Sequence, residues 1–395
     1  MSTIGERAHV PFPSASRSGV RPVASSPAQT VDDEIVPLRS MLAVPLVALV
    51  TVLFAFVMTE QAGVRIGDPD NVGARRLAMV WAFAAALVVV DIVIRAARRT
   101  GSLVPSFTAL RDARRERWTR HRGLAVSGAL IGFYVTYVAY RNLKTIIPLI
   151  RPDELYDKEL AHVDRVVFGL GKDPAEILHA VLGTGLSTQI LSSVYVAFVF
   201  LLPLSLAFAL VFAPNLRGGL FFATALAINW GLGAVSYLLL PARGPIYYVP
   251  SDFANLPHSH AAYLQERLLV ERREFLSDPH AAEVGQNIAA FASLHCSLLF
   301  TAALAAHLLG LARTLRIALW VLFVVSAIST VHLGWHYVID DIAGIAIALL
   351  ALGIACFMTG FQGRRAPGVA QPSSTPVRSI LPPARPHAMM ARVRG

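Results

Sequence analysis

Long apolar runs, each close to the roughly 20 residues an α-helix needs to cross a bilayer, alternate along this chain with polar and arginine-rich segments. They predict eight spans: Met41 to Met58, Leu77 to Ile94, Leu124 to Tyr140, Thr188 to Phe212, Gly218 to Leu240, Phe291 to Ala312, Leu315 to Leu333 and Tyr337 to Met358. The expected fold is an all-α polytopic membrane bundle. Leu315 to Met358 is too long for one crossing, so the chain must turn back near Gly334 and present His336 at a membrane face. Between the third and fourth spans, Asp173-Pro174-Ala175-Glu176 reads as a helix start, and ILHAVL after it predicts a short interfacial helix. The expected organisation is a disordered cytosolic arm over 1–40, two spans and a basic loop over 41–123, a six-helix core over 124–359 and a disordered basic tail over 360–395.

Charge orients these spans. From Arg95 to Arg122 there are nine arginines against Asp112 and Glu116, which by the positive-inside rule makes that loop cytosolic. The segment 141–187 is nearly balanced and is expected outside, while Arg313 and Arg316 mark another cytosolic turn. The pattern predicts a multi-pass protein of the cell membrane with both termini cytosolic and Arg243, His295 and His336 near the external face. With 55% hydrophobic and 15% charged residues in 395, a soluble enzyme is excluded. A net charge of +10 could suit nucleic acid, but the basic residues cluster between spans and in the tail, so membrane lipids are the expected partners and nucleic acid is not. Cys296 and Cys356 both fall in apolar spans and suggest no disulfide framework.

Candidate chemistry concentrates in Ser329 to Gly344, STVHLGWHYVIDDIAG, where ionisable groups stand at the junction of two apolar runs. His336 and Asp340 are four apart, so on a helix they share a face and the carboxylate can orient the imidazole as an activated nucleophile. His332, His336 and Asp340 could also line one face as metal ligands, but a turn at Gly334 breaks that face and no further Cys or carboxylate cluster completes a site. Asp341 points about 100° away from Asp340 and is expected to make a supporting or solvent contact. His162, His179 and His332 read as structural hydrogen-bonders, His258 and His260 as solvated loop residues, and the arginines at 111–122 as topology determinants.

Three pieces carry a family resemblance: Pro241 to Pro245 (PARGP), Phe291 to Ser297 (FASLHCS), and Ser329-Thr330 followed after five residues by His336 and after three more by Asp340. Together they resemble the signatures of the type-2 phosphatidic acid phosphatase superfamily, and FASLH with GWHYVIDDIAG looks more like the branch of bacterial relatives of inositol phosphorylceramide synthase. The resemblance implies that His336 attacks phosphorus and forms a phosphohistidine, that Asp340 fixes its tautomer, and that His295 protonates the leaving oxygen and then activates the acceptor. Arg243 and Ser293 would hold the phosphate, with Lys144 and Arg151 as further candidates, and no metal or other cofactor is implied. The departures are Ala292 and Leu294 in the second signature, Thr330 in place of the arginine of the third, and a missing lysine before Arg243. Lys144-x6-Arg151-Pro152 fits the letters of the first signature but at another place in the bundle. The expected function is a membrane lipid-phosphate phosphatase or phosphotransferase acting on the outer face. A polyol-phosphate transferase of the synthase type, with a polyol acceptor, and a non-catalytic lipid-binding or transport protein on the same bundle are the alternatives.

Overall fold

The structure, a computed structural model, describes residues 36–363 apart from 69–70, 214 and 281–284. Most of the arm expected over 1–40 and of the tail expected over 360–395 therefore lies outside the described residues. Among these, regular structure is helical throughout. In order come α1 (Leu38–Gln61), α2 (Val72–Thr100), α3 (Phe107–Arg117), α4 (Arg120–Ile150), α5 (Asp157–Val163) with a π turn (Asp164–Phe168), and α6 (Pro174–Leu182). Then follow α7 (Leu186–Phe212), α8 (Leu216–Leu239), α9 (Pro245–Tyr248), a 3-10 turn (Pro250–Phe253), α10 (His260–Ser277), α11 (Leu294–Leu308), α12 (Arg313–His332) and α13 (Val338–Thr359).

The chain is thus an all-α polytopic membrane bundle. Among the described residues seven helices, α1, α2, α4, α7, α8, α12 and α13, are long and apolar enough to cross a membrane, against the eight spans expected; α11, the counterpart of the sixth, has only 15 residues. It is short at its start because Phe291 to Ser293 stay outside the helix: the Ser293 N–H bonds the Asp340 carbonyl at 3.0 Å and the Ser293 hydroxyl caps the first turn. α4 is longer than its apolar run, continuing past Tyr140 because the polar residues that follow find partners within the bundle. Arg141 pairs with Asp68 at 3.3 Å, and the Lys144 ammonium lies over the Tyr140 and Tyr237 rings.

α8 is the axis of the bundle, buried along nearly its whole length and packed on α1, α4, α7, α11 and α13. Its small residues allow that close approach, and the Asn229 amide crosses to α11, donating to Thr301 at 3.1 Å and accepting from Ser297. α1 packs on α4, α8 and α13, and α2 on α4 and α7, so the N-terminal pair is built into the helical assembly. The outward faces carry exposed apolar side chains such as Leu46, Leu49, Leu53, Val89 and Phe357, as lipid contact requires. Two members of the arginine run turn inward. Arg117 donates to the Ala213 carbonyl at 2.6 Å and Arg122 to the Val211 carbonyl at 3.2 Å, closing the carbonyl end of α7.

Candidate active site

Three loops converge at one end of the bundle: the PARGP segment after α8, residues 291–293 before α11, and 333–337 between α12 and α13. Gly244, with φ +98°, is what lets the first meet the third, since a Cβ there would collide with the Trp335 carbonyl. The Ile246 N–H then bonds the Gly334 carbonyl at 2.9 Å. Gly334 itself has φ +73°, and the chain turns there as the sequence predicts. Gly344 permits an equally close approach of α13 to the Ser293 carbonyl.

Two buried carboxylates from the segment between α4 and α6 tie these loops down. Asp157 accepts from the backbone N–H of Arg243 at 3.0 Å and of Gly244 at 2.8 Å, and from the Tyr337 hydroxyl at 3.2 Å. Asp164 accepts from the N–H groups of Val338 at 2.7 Å and Ile339 at 3.0 Å, capping α13 from another element. Burial raises the Asp164 pKa, and those two N–H bonds oppose the rise. Sequence reasoning passed over both; the available signal was their spacing of seven residues, which returns to one face of a helix after two turns.

The two histidines meet. His295 enters from the first turn of α11 and His336 from the loop before α13, with ring centroids 6.1 Å apart and planes at 56°. His295 is held in a stack, its ring 4.2 Å from Tyr195, which lies in turn 4.9 Å from Trp335. Buried His295 Nε2 and His336 Nδ1 have no hydrogen-bond partner. Burial lowers the His336 imidazole to about 4; Asp341 opposes that shift and Lys144 adds to it.

Asp340 does not share a helix face with His336, because α13 starts only at Val338. Its Oδ2 accepts the Tyr337 N–H at 3.0 Å, and from that position stands 3.4 Å from His336 Nδ1, at ion-pair range. Asp341 is buried and accepts from the Thr330 hydroxyl at 2.9 Å, which excludes the solvent contact considered for it. Thr330, at the position where the resembling family has arginine, thus delivers a hydrogen bond to a carboxylate.

A cavity of about 230 Å³ opens on both imidazoles. Arg243, Lys144, Arg141 and Arg76 line it, among the described residues no Asp or Glu does, and the remaining wall is largely aromatic, with Tyr137, Tyr140, Trp230 and Tyr237. Buried Arg243 Nε has no hydrogen-bond partner. Of the other candidates, Ser293 is fully buried and does not line the cavity; its hydroxyl accepts the Cys296 N–H at 3.4 Å. Arg151 is turned away, donating to the Leu238 carbonyl at 3.0 Å and pairing with Glu154. Arg76 and Arg141 are additions the sequence reading missed, one because its helix was read as an N-terminal extra and the other because it was counted as loop charge.

A second cavity, of about 500 Å³, shares His336 but is lined by Asp164, Asp173, Glu176 and Asp252, with Arg165. His332 and His179 are occupied structurally: His332 Nε2 lies 2.9 Å from the Thr188 hydroxyl, and His179 Nε2 lies 2.8 Å from the His332 carbonyl. Among the described residues no group of three or more His, Cys, Asp or Glu side chains is placed to hold a metal ion. The turn at Gly334 separates His332 from Asp340.

An arrangement of two imidazoles beside a cavity lined by basic side chains suits transfer of an anionic group. Residues 158–354 match the profile of the PAP2 superfamily, a match that supports that superfamily and a phosphatase or phosphotransferase type of function. The matched segment contains Arg243, His295, His336 and Asp340, while Arg76, Arg141 and Lys144 precede it. No curated protein and no solved structure matches the chain.

Proposed function

We propose that the chain hydrolyses or transfers a lipid-linked phosphate ester through a phosphohistidine at His336, on the outer face of the membrane. The observation that carries this reading is the pair of imidazoles from separate elements, 6.1 Å apart on the wall of one cavity whose described lining holds four basic side chains and no acid. A phosphorus about 3 Å from one ring and a leaving oxygen about 3 Å from the other fit that spacing. The aromatic wall accommodates the apolar part of a lipid, and Arg243 and Lys144 supply the charge that Thr330 does not.

In this reading neutral His336 attacks phosphorus, and the bond to the leaving alkoxide breaks as His295 gives it a proton. His295 then takes a proton from water or an alcohol, which attacks the phosphohistidine and releases His336. Asp340 faces Nδ1, so Nε2 is the attacking nitrogen, and Asp340 stabilises the imidazolium as the bond forms. Asp341, hydrogen-bonded by Thr330, adds a second negative charge near the ring. Ser293 acts in capping α11, and the phosphate is held by Arg243 and Lys144 in place of Ser293 and Arg151.

Water as acceptor gives a phosphatase, and a polyol gives a phosphotransferase of the synthase type with the same first step. Purified protein given a lipid phosphate with and without polyol separates them, because inorganic phosphate accumulates in one case and a new phosphodiester in the other. Lipid binding with no turnover, unaltered by His336→Asn, would replace both readings by a non-catalytic lipid-binding role.

A further inference from the structure

The two imidazoles are oriented by different means. Asp340 Oδ2 stands 3.4 Å from His336 Nδ1, and a carboxylate in that place sets the direction of a histidine ring. Among the described residues no carboxylate pairs with His295, and its buried Nε2 has no hydrogen-bond partner. An imidazole without such a bond turns about χ2, a broad torsion, unless its faces are enclosed. A proton donor turned away from the leaving oxygen gives nothing, and a misplacement of about 1 Å can cost about 100-fold.

Aromatic faces supply the enclosure. Tyr195 and Phe198 stand three residues apart on α7 and so share a face of that helix. The Tyr195 ring lies 4.2 Å from the His295 ring at 21°, and the Phe198 ring 4.5 Å from it at 44°. Tyr195 is itself stacked on Trp335, at 4.9 Å and 5°, and both of these rings are buried. Among the described residues the Tyr195 hydroxyl makes no hydrogen bond, so its ring is what this position uses. Trp335 is the residue before His336 in the chain. The series Trp335, Tyr195, His295 therefore runs from the loop that carries one imidazole to the first turn of α11, which carries the other.

We propose that Tyr195 is a positioning residue: stacked on both Trp335 and His295, it fixes the proton donor relative to the nucleophile, the task that a carboxylate performs for His336. The inference rests on the phosphohistidine reading above and adds to it the means by which His295 is aimed. The tyrosine face does this without fixing a proton on either ring nitrogen, which suits a histidine that must first give a proton to the leaving oxygen and then take one from the acceptor. Its negative face also attracts the imidazolium, the form that holds the proton to be given.

The test uses the full chain in mixed micelles and two phosphate monoesters with the same alkyl tail, one leaving as a primary alcohol and the other as a nitrophenol. The P–O bond to the alcohol breaks only as His295 protonates its oxygen, whereas a nitrophenolate departs without that proton. His295→Asn sets the scale, with about 100-fold or more lost in kcat/KM on the alkyl ester and less than about threefold on the aryl ester. Tyr195→Leu is expected to lose about tenfold to 100-fold on the alkyl ester, again with the aryl ester within about threefold. Tyr195→Phe, which keeps the ring face, is expected to recover most of that loss. Trp335→Leu should show the same selective loss to a smaller extent, and it decides the matter if Tyr195→Leu does not fold. Equal losses on the two esters mean a structural role alone and overturn the proposal. A loss in Tyr195→Phe as large as in Tyr195→Leu would assign the effect to the hydroxyl and overturn it too. If the wild-type chain turns over neither ester, the phosphohistidine reading fails. NMR of labelled histidine then judges the stack: the His295 ring protons must lie upfield of their ordinary position in wild type and return toward it in Tyr195→Leu, and an unshifted wild-type signal overturns it.

Discussion

Two cavities share His336 and differ in nearly every other respect. Among the described residues the smaller is lined by Arg76, Arg141, Lys144 and Arg243 with aromatic walls and no acid, whereas the larger is lined by Asp164, Asp173, Glu176 and Asp252 with one arginine. A phosphate ester carried by a lipid is attracted to the first and repelled by the second. On the proposed reading charge, not size, assigns the substrate side of His336, because the acidic cavity is about twice as large. It also gives each carboxylate a place: Asp157 and Asp164 hold loops, Asp340 and Asp341 flank the ring, and none enters the cationic chamber.

Substitutions confined to one side or the other separate the two chambers. His336→Ala removes the shared side chain and is expected to lower kcat by about 1,000-fold or more, measured as phosphate release, with lipid binding retained. Arg243→Ala on the cationic side should cost about 100-fold in kcat/KM, the usual scale for losing a donor aimed at the reacting group. Lys144→Met should cost about tenfold, comparable to one charge-assisted contact. Glu176→Gln or Asp252→Asn on the acidic side should change kcat/KM by less than about twofold, since neither faces the substrate and each lies in solvent-screened surroundings. An effect of Asp252→Asn as large as that of Arg243→Ala would reverse the assignment of the chambers.

Acidity probes the same contrast. The nucleophile must be neutral, and burial holds His336 at about 4, so its protonation should bring no acid limb in the ordinary imidazole range and should cut kcat/KM tenfold per pH unit only below about pH 4, while an alkaline limb belongs to His295, the proton donor. The folded-state pKa lies below the unfolded one. The contribution of this residue to stability is therefore full above about pH 6.5 and is lost as pH falls toward 4. An acid limb of the wild-type kcat/KM near pH 6.5, coinciding with protonation of His336 followed by NMR, would show an exposed, unperturbed ring and contradict the buried site.

The helices were legible in the sequence because long apolar runs leave few alternatives, and the turn at Gly334 followed from length alone. What local pattern misjudged was decided by tertiary partners. α11 is short because Ser293 is tied to Asp340, and α4 is long because Arg141 and Lys144 find Asp68 and two aromatic rings. Within the site, the motifs pointed to His295, His336 and Arg243, which the structure brings to one cavity. They also pointed to Ser293 and Arg151, which it does not. Arg76 and Arg141 carry no motif, and only the packing of α2 and α4 reveals that they face the same space as the histidines.

Covalent attachment of phosphorus to His336 is the step that sets the proposed chemistry apart. Purified protein incubated briefly with a lipid bearing a radiolabelled terminal phosphate, then quenched and digested, should yield acid-labile, base-stable label on the peptide containing His336, and His336→Ala should yield none. Label on another residue, or steady turnover with no trapped phosphoenzyme at any time point, would contradict it.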